Sequence, residues 1–119
     1  MIKSNDKSRK SYKYERISSE VDKLIKEVVM YEIQDKRVNG NAVVTGTILS
    51  KDFSHCKVFV YINSEDKKSV LDGLKNASGF VRHVIAQQLD MRKTPEISFI
   101  YDESVDRMNR IEELLNQIK

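Results

Sequence analysis

Apolar residues recur along this chain at two spacings, one helical and one strand-like. The first helical stripe consists of Ile17, Val21, Leu24, Ile25 and Val28. Spacings of three and four residues place these side chains on one face of an amphipathic helix, which we expect to pack against a sheet. The segments 42–49 and 56–62 are instead rich in Val, Ile, Thr, Phe and Tyr, and they predict an antiparallel hairpin of two strands.

A second helical stripe runs through Gly79. It consists of Val70, Leu71, Leu74 and Ala77 before the glycine and of Val81, Val84, Ile85 and Leu89 after it. Because glycine weakens a helix while the stripe continues in phase, we predict two helices that meet at a bend there. The second helix would begin with free backbone N–H groups that point outward, and such groups form a binding site for phosphate.

The last part of the chain predicts one more strand and one more helix. Pro95, the only proline, precedes a third strand. The core-facing residues of this strand are Ile97, Phe99 and Tyr101, and the apolar stripe of the following helix is Met108, Ile111, Leu115 and Ile118. That helix begins at Asp102 or Ser104, and so short a stripe predicts a tail that either frays or docks.

The predicted element order is α-β-β-α-α-β-α, an α+β fold. A strand, a helical crossover and another strand make the third strand parallel to the second, so we expect a three-stranded mixed sheet with helices on one face. At 119 residues the chain has room for one domain. Residues 1–10 are polar and lack periodicity, and we expect a flexible basic arm there, followed by a single domain over residues 11–119 that includes the last helix.

Charge favours a polyanionic partner more than the net value of +3 suggests, because basic residues concentrate near the start of the chain. A solubilising tail would have the same composition.

The lone Cys56 cannot form an internal disulfide, and His55 and His83 lack the ligand spacing of a zinc site. No catalytic motif and no apolar run of about 18 residues is present. We therefore expect a cytoplasmic protein without metal, cofactor or enzymatic activity.

The candidate phosphate-binding residues surround the predicted bend. The small corner is Ala77, Ser78 and Gly79, and the cations beside it are Lys75 and Arg82. Weaker candidates of the same kind are Arg92, Lys93, Arg16, Lys36 and Arg37. Each of these cations could equally be a solvated surface charge. A bent helix pair with a small corner beside cations is typical of a KH-type RNA-binding domain, although the usual Gly-x-x-Gly loop is absent.

Four segments of the chain resemble the ribosome-binding factor A family. They are Ser50 to Val60, similar to Ser-x-Asp-Leu-Ser-x-Ala-Lys-Val-Tyr-Val; Ala77 to Arg82, similar to Ala-x-Gly-x-x-Arg; Arg92 to Phe99, similar to Arg-x-x-Pro-Glu-Leu-x-Phe; and the C-terminal helix from Asp102. Two departures are Lys36, where the family has proline, and Cys56, where it has alanine. The resemblance runs from Arg16 to the end of the chain.

The resemblance implies a KH type II-like fold and a function without bond-making chemistry. It implies binding to the immature small ribosomal (30S) subunit and its 16S rRNA late in maturation, assistance to processing of the 5′ end of that RNA, and a role in growth in the cold. By the same resemblance, the family's helix kink at Ala77, Ser78 and Gly79 replaces the Gly-x-x-Gly loop. We expect a monomer when the protein is free.

Three other functions remain open at this point. A general KH-like binder of single-stranded RNA would bind short free RNA as well as subunits. A small hydrolase would depend on His55 and His83, so their joint replacement by alanine would abolish turnover. A protein-interaction module would stay bound to ribosomes when RNA is removed.

Overall fold

The computed structural model describes the backbone of residues 2–118 and the side chains of residues 12–118. In chain order the elements are α1 (Ile2–Glu27), a π-helical turn (Val28–Glu32), β1 (Ala42–Leu49), β2 (His55–Ile62), α2 (Lys67–Gln88), β3 (Glu96–Tyr101) and α3 (Ser104–Ile118). This arrangement confirms the predicted α+β fold. No helix in residues 2–118 has both the length and the apolar composition that crossing a membrane requires.

The long helix α1 buries the predicted stripe from Ile17 to Val28, which confirms that part of the prediction. Its backbone is helical from Ile2, within the segment predicted to be a flexible arm. Met1 and the side chains of residues 1–11 lie outside the described part, and the flexibility of the arm stays a prediction. At its C-terminal end α1 continues into the π-helical turn, where Val28 and Val29 are buried.

The three strands form one sheet in the order β1-β2-β3. Strand β1 is antiparallel to β2 and β3 is parallel to it, as predicted. The register shifts between Val44 and Gly46, so Thr45 is the extra residue of a β-bulge. The alternate residues Cys56, Val58, Val60 and Ile62 of β2 are buried.

One helix, α2, stands where the sequence predicts two. It runs without interruption from Lys67 to Gln88 and passes through Gly79. The backbone N–H groups near Gly79 therefore bond to carbonyls one turn earlier, and the prediction of a second helix N-terminus there is wrong, while phosphate binding by the residues around Gly79 stays a prediction. The N-cap is Asp66, whose side chain accepts a hydrogen bond from the N–H of Ser69 at 3.0 Å.

Both α1 and α2 pack on the same face of the sheet and enclose one apolar core. Helix α2 contributes Val70, Leu74, Val81 and Ile85 to that core. The Cys56 thiol lies within it, and burial raises its pKa to about 11.

Helix α3 contacts the rest of the described chain through its first turn. The hydroxyl of Tyr101 donates to Asp106, and the Lys67 ammonium lies 3.7 Å from the same carboxylate. No residue of α3 is buried. The stripe predicted for this helix is present but exposed, so in this structure the tail does not dock on the core.

Candidate nucleic-acid interface

The outward surface of α2 around Gly79 is open. Lys75, Asn76, Gly79 and Phe80 are all exposed there. A Cβ atom added at Gly79 would meet nothing within 4 Å, and the φ angle of this residue does not demand glycine. The helix backbone is therefore accessible at this point to any partner that approaches from outside.

The small residues beside Gly79 have ordinary helical roles. Ser78 is half-buried, and its hydroxyl donates to the carbonyl of Lys75 at 2.7 Å. Ala77 packs against the edge of the core. Within residues 12–118 the Lys75 ammonium has no carboxylate within 4.0 Å, so its charge is available at the surface.

Arg82 fastens the loop between α2 and β3 to the helix. Its Nε donates to the carbonyl of Pro95 at 3.1 Å, and Nη2 donates to the carbonyl of Thr94 at 3.3 Å. The predicted phosphate contact of Arg82 stays a prediction. The structure adds that this side chain positions the segment that leads into β3.

An open groove of about 580 Å³ separates α2 from the chain that follows the π-helical turn. It is lined by Glu32, Ile33, Gln34, Asp35, Gly73, Asn76, Ala77 and Phe80. Gly73 and Ala77 have small side chains or none, so the α2 side of the groove projects little into it. The half-exposed ring of Phe80 forms an apolar edge. The groove therefore offers a mixed surface directly beside the accessible backbone of Gly79, with apolar area from Ile33, Ala77 and Phe80 and two carboxylates, Glu32 and Asp35.

Gly73 marks the place where this wall touches the loop after the π-helical turn. A Cβ atom at Gly73 would lie 2.9 Å from Cγ2 of Val38 and 3.2 Å from Oδ2 of Asp35. Sequence reasoning missed this glycine, because its only signal is the same one that Gly79 gives, a glycine inside a helical pattern.

Arg37 is largely committed to its own loop. Its Nη2 lies 2.7 Å from Oδ2 of Asp35 and its Nε lies 3.0 Å from Oδ1. These hydrogen bonds lower the pKa of Asp35 and raise the pKa of Arg37. Lys36 is exposed beside this pair. The predicted contribution of Arg37 to phosphate binding would therefore compete with an existing ion pair.

Three other predicted cations come together at a different place, which we call the basic end. Lys13, Arg92 and Lys93 line one pocket there, and Lys13 and Arg16 line an adjoining one. Neither pocket shares a lining residue with the groove beside Gly79. The structure thus divides the predicted patch into an α2 surface and a basic end, and Lys13 is a member that sequence reasoning had not included.

Metal chemistry has no support in the described part of the chain, where no group of three His, Cys, Asp or Glu residues could hold an ion. His55 is exposed and its Nε2 lies 3.3 Å from Glu96. Neither His55 nor His83 lines the groove or the pockets of the basic end.

The chain matches the family model "Ribosome-binding factor A" over residues 13–115. A ribosome-binding factor A from Thermosynechococcus vestitus is 42% identical over 106 residues, which cover 87% of this chain and 84% of that protein.

Solved structures give the same fold. The crystal structure of ribosome-binding factor A from Thermus thermophilus has a TM-score of 0.65 at 23% identity and covers 72% of this chain and 91% of that one. A homology model of the Thermus thermophilus factor, fitted into the cryo-EM map of a 30S–RbfA complex, has a TM-score of 0.61 at 23% identity and covers 74% and 93%. From the extent of the family match and the identity to its members, the chain belongs to the ribosome-binding factor A family.

Proposed function

We propose that this chain binds the small ribosomal subunit and contacts 16S rRNA with the α2 surface around Gly79. Membership in the ribosome-binding factor A family supports the partner, since a member with this fold has been fitted into a map of a 30S complex. The geometry supports the surface. The proposal covers the single domain predicted over residues 11–119, acting as a monomer when free and located in the cytoplasm.

The observation that carries the proposal is the exposure of Gly79. A glycine in a helix interior costs ~1 kcal/mol relative to alanine. Nothing in the fold requires this glycine, because a Cβ atom there would meet open space. Its presence is explained if a partner must approach the helix backbone closely, as a sugar-phosphate chain can. Lys75 would then neutralise a phosphate, and Phe80 would contact a base or sugar.

Binding itself would be the mechanism, without bond-making chemistry. The protein would favour an immature conformation of the subunit, and for that it must bind immature particles more tightly than mature ones, since equal affinity shifts no equilibrium. Late maturation, processing of the 5′ end of 16S rRNA and support of growth in the cold belong to the same proposal.

Co-sedimentation with immature small subunits tests the surface. We expect Gly79→Leu to abolish co-sedimentation while its far-UV circular dichroism matches the wild type, since leucine favours helix and its Cβ atom would meet nothing within 4 Å. The matched control is Gln87→Leu, which places the same side chain on an exposed position two turns further along. Wild-type binding should weaken as salt rises, because phosphate contacts release counterions.

Three results would contradict the proposal. Unchanged co-sedimentation of Gly79→Leu would remove the α2 surface from the interface. Equal affinity for short free RNA and for subunits would favour a general single-stranded RNA binder. Binding to ribosomal particles that survives nuclease digestion and high salt would favour a protein-interaction module.

A further inference from the structure

A compact pocket at the basic end has an apolar floor and a cationic rim. Its volume is about 290 Å³, close to the ~300 Å³ at which small-ligand pockets begin. Ile17, Phe53 and Met91 contribute apolar surface, and Lys13, Arg92 and Lys93 contribute positive charge. The residues come from α1, from the β1–β2 loop and from the loop between α2 and β3, so the pocket forms only when the chain is folded.

Phe53 reaches this pocket from an uncommon backbone conformation. Its φ angle is +62°, and a residue with a side chain costs about 1–3 kcal/mol in such a region. Hydrogen bonds in the loop hold it there: its N–H donates to the carbonyl of Ser50 at 2.9 Å, and the Ser54 hydroxyl donates to Asp52 at 2.7 Å. Backbone strain of this kind is concentrated at binding sites, where the fold holds a side chain in position for a partner.

The ring of Phe53 is also supported from behind. Its centroid lies 5.9 Å from that of Tyr14, whose hydroxyl donates to the carbonyl of Leu49. The Lys51 ammonium lies 3.9 Å from the centroid of Tyr14, so a cation covers the ring that packs against Phe53. The aromatic side of the pocket is therefore held in place before any ligand arrives.

We infer that this pocket binds one unstacked nucleotide of single-stranded RNA, with the base against Phe53 and Met91 and the phosphate toward Arg92 and Lys93. The inference rests on the proposed function and names a second RNA contact for it, separate from the α2 surface. A nucleotide fits both halves of the lining, because base stacking on aromatic rings is worth about 1–3 kcal/mol and cations bind its phosphate.

Two carboxylates, Asp52 and Asp90, also line the pocket. They repel a phosphate, so they orient the nucleotide with its anionic end toward the arginine and lysine. Oδ1 of Asp52 already accepts hydrogen bonds from Ser50 and Ser54, so Oδ2 of Asp52 and the Asp90 carboxylate are the oxygens that remain to accept from the N–H groups on the edge of a base.

Tryptophan fluorescence tests the inference, since the chain contains no tryptophan. In Phe53→Trp the single indole would report stacking of a base in this pocket. We expect a short single-stranded RNA of mixed sequence to quench its emission saturably. Met108→Trp, on the exposed surface of α3, is the control and should show no saturable quenching. Should Phe53→Trp fail to fold, Met91→Trp reports the same floor.

The charged rim is tested in the same assay. Arg92→Gln combined with Lys93→Gln should reduce the slope of log affinity against log salt by about one for each phosphate that the rim no longer neutralises. The control, also made in the Phe53→Trp protein, is Lys68→Gln combined with Arg110→Gln, which removes the same charge from exposed positions elsewhere. Its affinity for RNA, measured by quenching, should stay close to that of Phe53→Trp alone.

The outcomes separate the two proposals. Absence of quenching while Phe53→Trp still co-sediments with subunits overturns the pocket and leaves the proposed function standing. Inorganic polyphosphate that quenches as strongly as RNA also overturns it, because the pocket would then be an anion site. Quenching by RNA in a protein that does not co-sediment overturns the proposed function and supports the pocket as an RNA site.

Discussion

Two glycines, six residues apart in the same helix, answer to different constraints. Gly73 is buried, and a side chain there would collide with Val38 and Asp35. Gly79 is exposed, and a Cβ atom there would meet no atom of the described residues within 4 Å. The fold therefore requires the first glycine and leaves the second without a structural reason. A glycine that lowers helix stability without relieving a contact points to a partner outside the chain.

The contrast extends to the two halves of α2. Around Gly73 the helix is pressed against the loop that contains Asp35 and Val38. From Gly79 onward its outer surface faces solvent, and Arg82 holds the carbonyls of Thr94 and Pro95 in the following loop. Gly73 thus fixes the wall of the groove, whereas the exposed residues from Lys75 to Phe80 present the surface to which we assign RNA binding.

The largest effect is expected for Gly73→Leu. A leucine would overpack the contact with Val38, which is buried, and we expect the free energy of unfolding to fall by about 3 kcal/mol. Urea denaturation measures the change, and Gly79→Leu is the matched control, which should be at least as stable as the wild type because leucine also favours helix over glycine. Equal stability of the two leucine variants would remove the distinction between the glycines.

A smaller effect of opposite sign is expected for Gly79→Ala. Alanine has the higher helix propensity and its methyl group meets no protein atom, so the free energy of unfolding should rise by about 1 kcal/mol. The same urea titration measures it. A fall in stability would mean that the fold does require this glycine, and the argument for a partner at this position would fail.

The smallest effect is expected for Asp35→Asn, and it depends on pH. Hydrogen bonds from Arg37 lower the pKa of the Asp35 carboxyl below its ordinary value of 3.8, so the carboxylate stabilises the folded state. That contribution is complete above pH 3.8 and disappears as pH falls through the lowered pKa. Wild type should therefore be slightly more stable than Asp35→Asn at pH 7, because exposed ion pairs contribute little.

Urea titrations of both proteins at pH 7 and at descending pH check this expectation. The two curves should converge in acid. A difference that persisted below the lowered pKa would assign the effect to packing beside Gly73 instead of to the ion pair.

Local pattern was sufficient for most of the elements. The richness of residues 42–49 in Val, Ile and Thr predicted β1 at its observed bounds, and the stripe from Ile17 to Val28 predicted the buried face of α1. Local pattern was insufficient at Gly79. The cost of one glycine, ~1 kcal/mol, is too small to interrupt a helix whose apolar stripe continues on both sides of it through buried residues such as Leu74 and Val81.

The parts of the site that were missed depend on contacts distant in sequence. Gly73 matters because the loop that contains Val38 lies against it, and no property of its neighbours shows that. The cations Arg16, Arg92 and Lys93 were predicted as residues, but only the folded chain brings α1 and the loop after α2 to one end. The positive φ angle of Phe53 has no signal in the sequence, because phenylalanine rarely adopts it.

The buried thiol of Cys56 can report how often this fold opens locally. Because its thiolate is suppressed at neutral pH and its side chain is enclosed in the core, an alkylating reagent can modify it only when the hairpin opens. The labelling rate of the unaltered chain therefore measures how often that opening occurs, and it does so with a reporter group that the protein already carries.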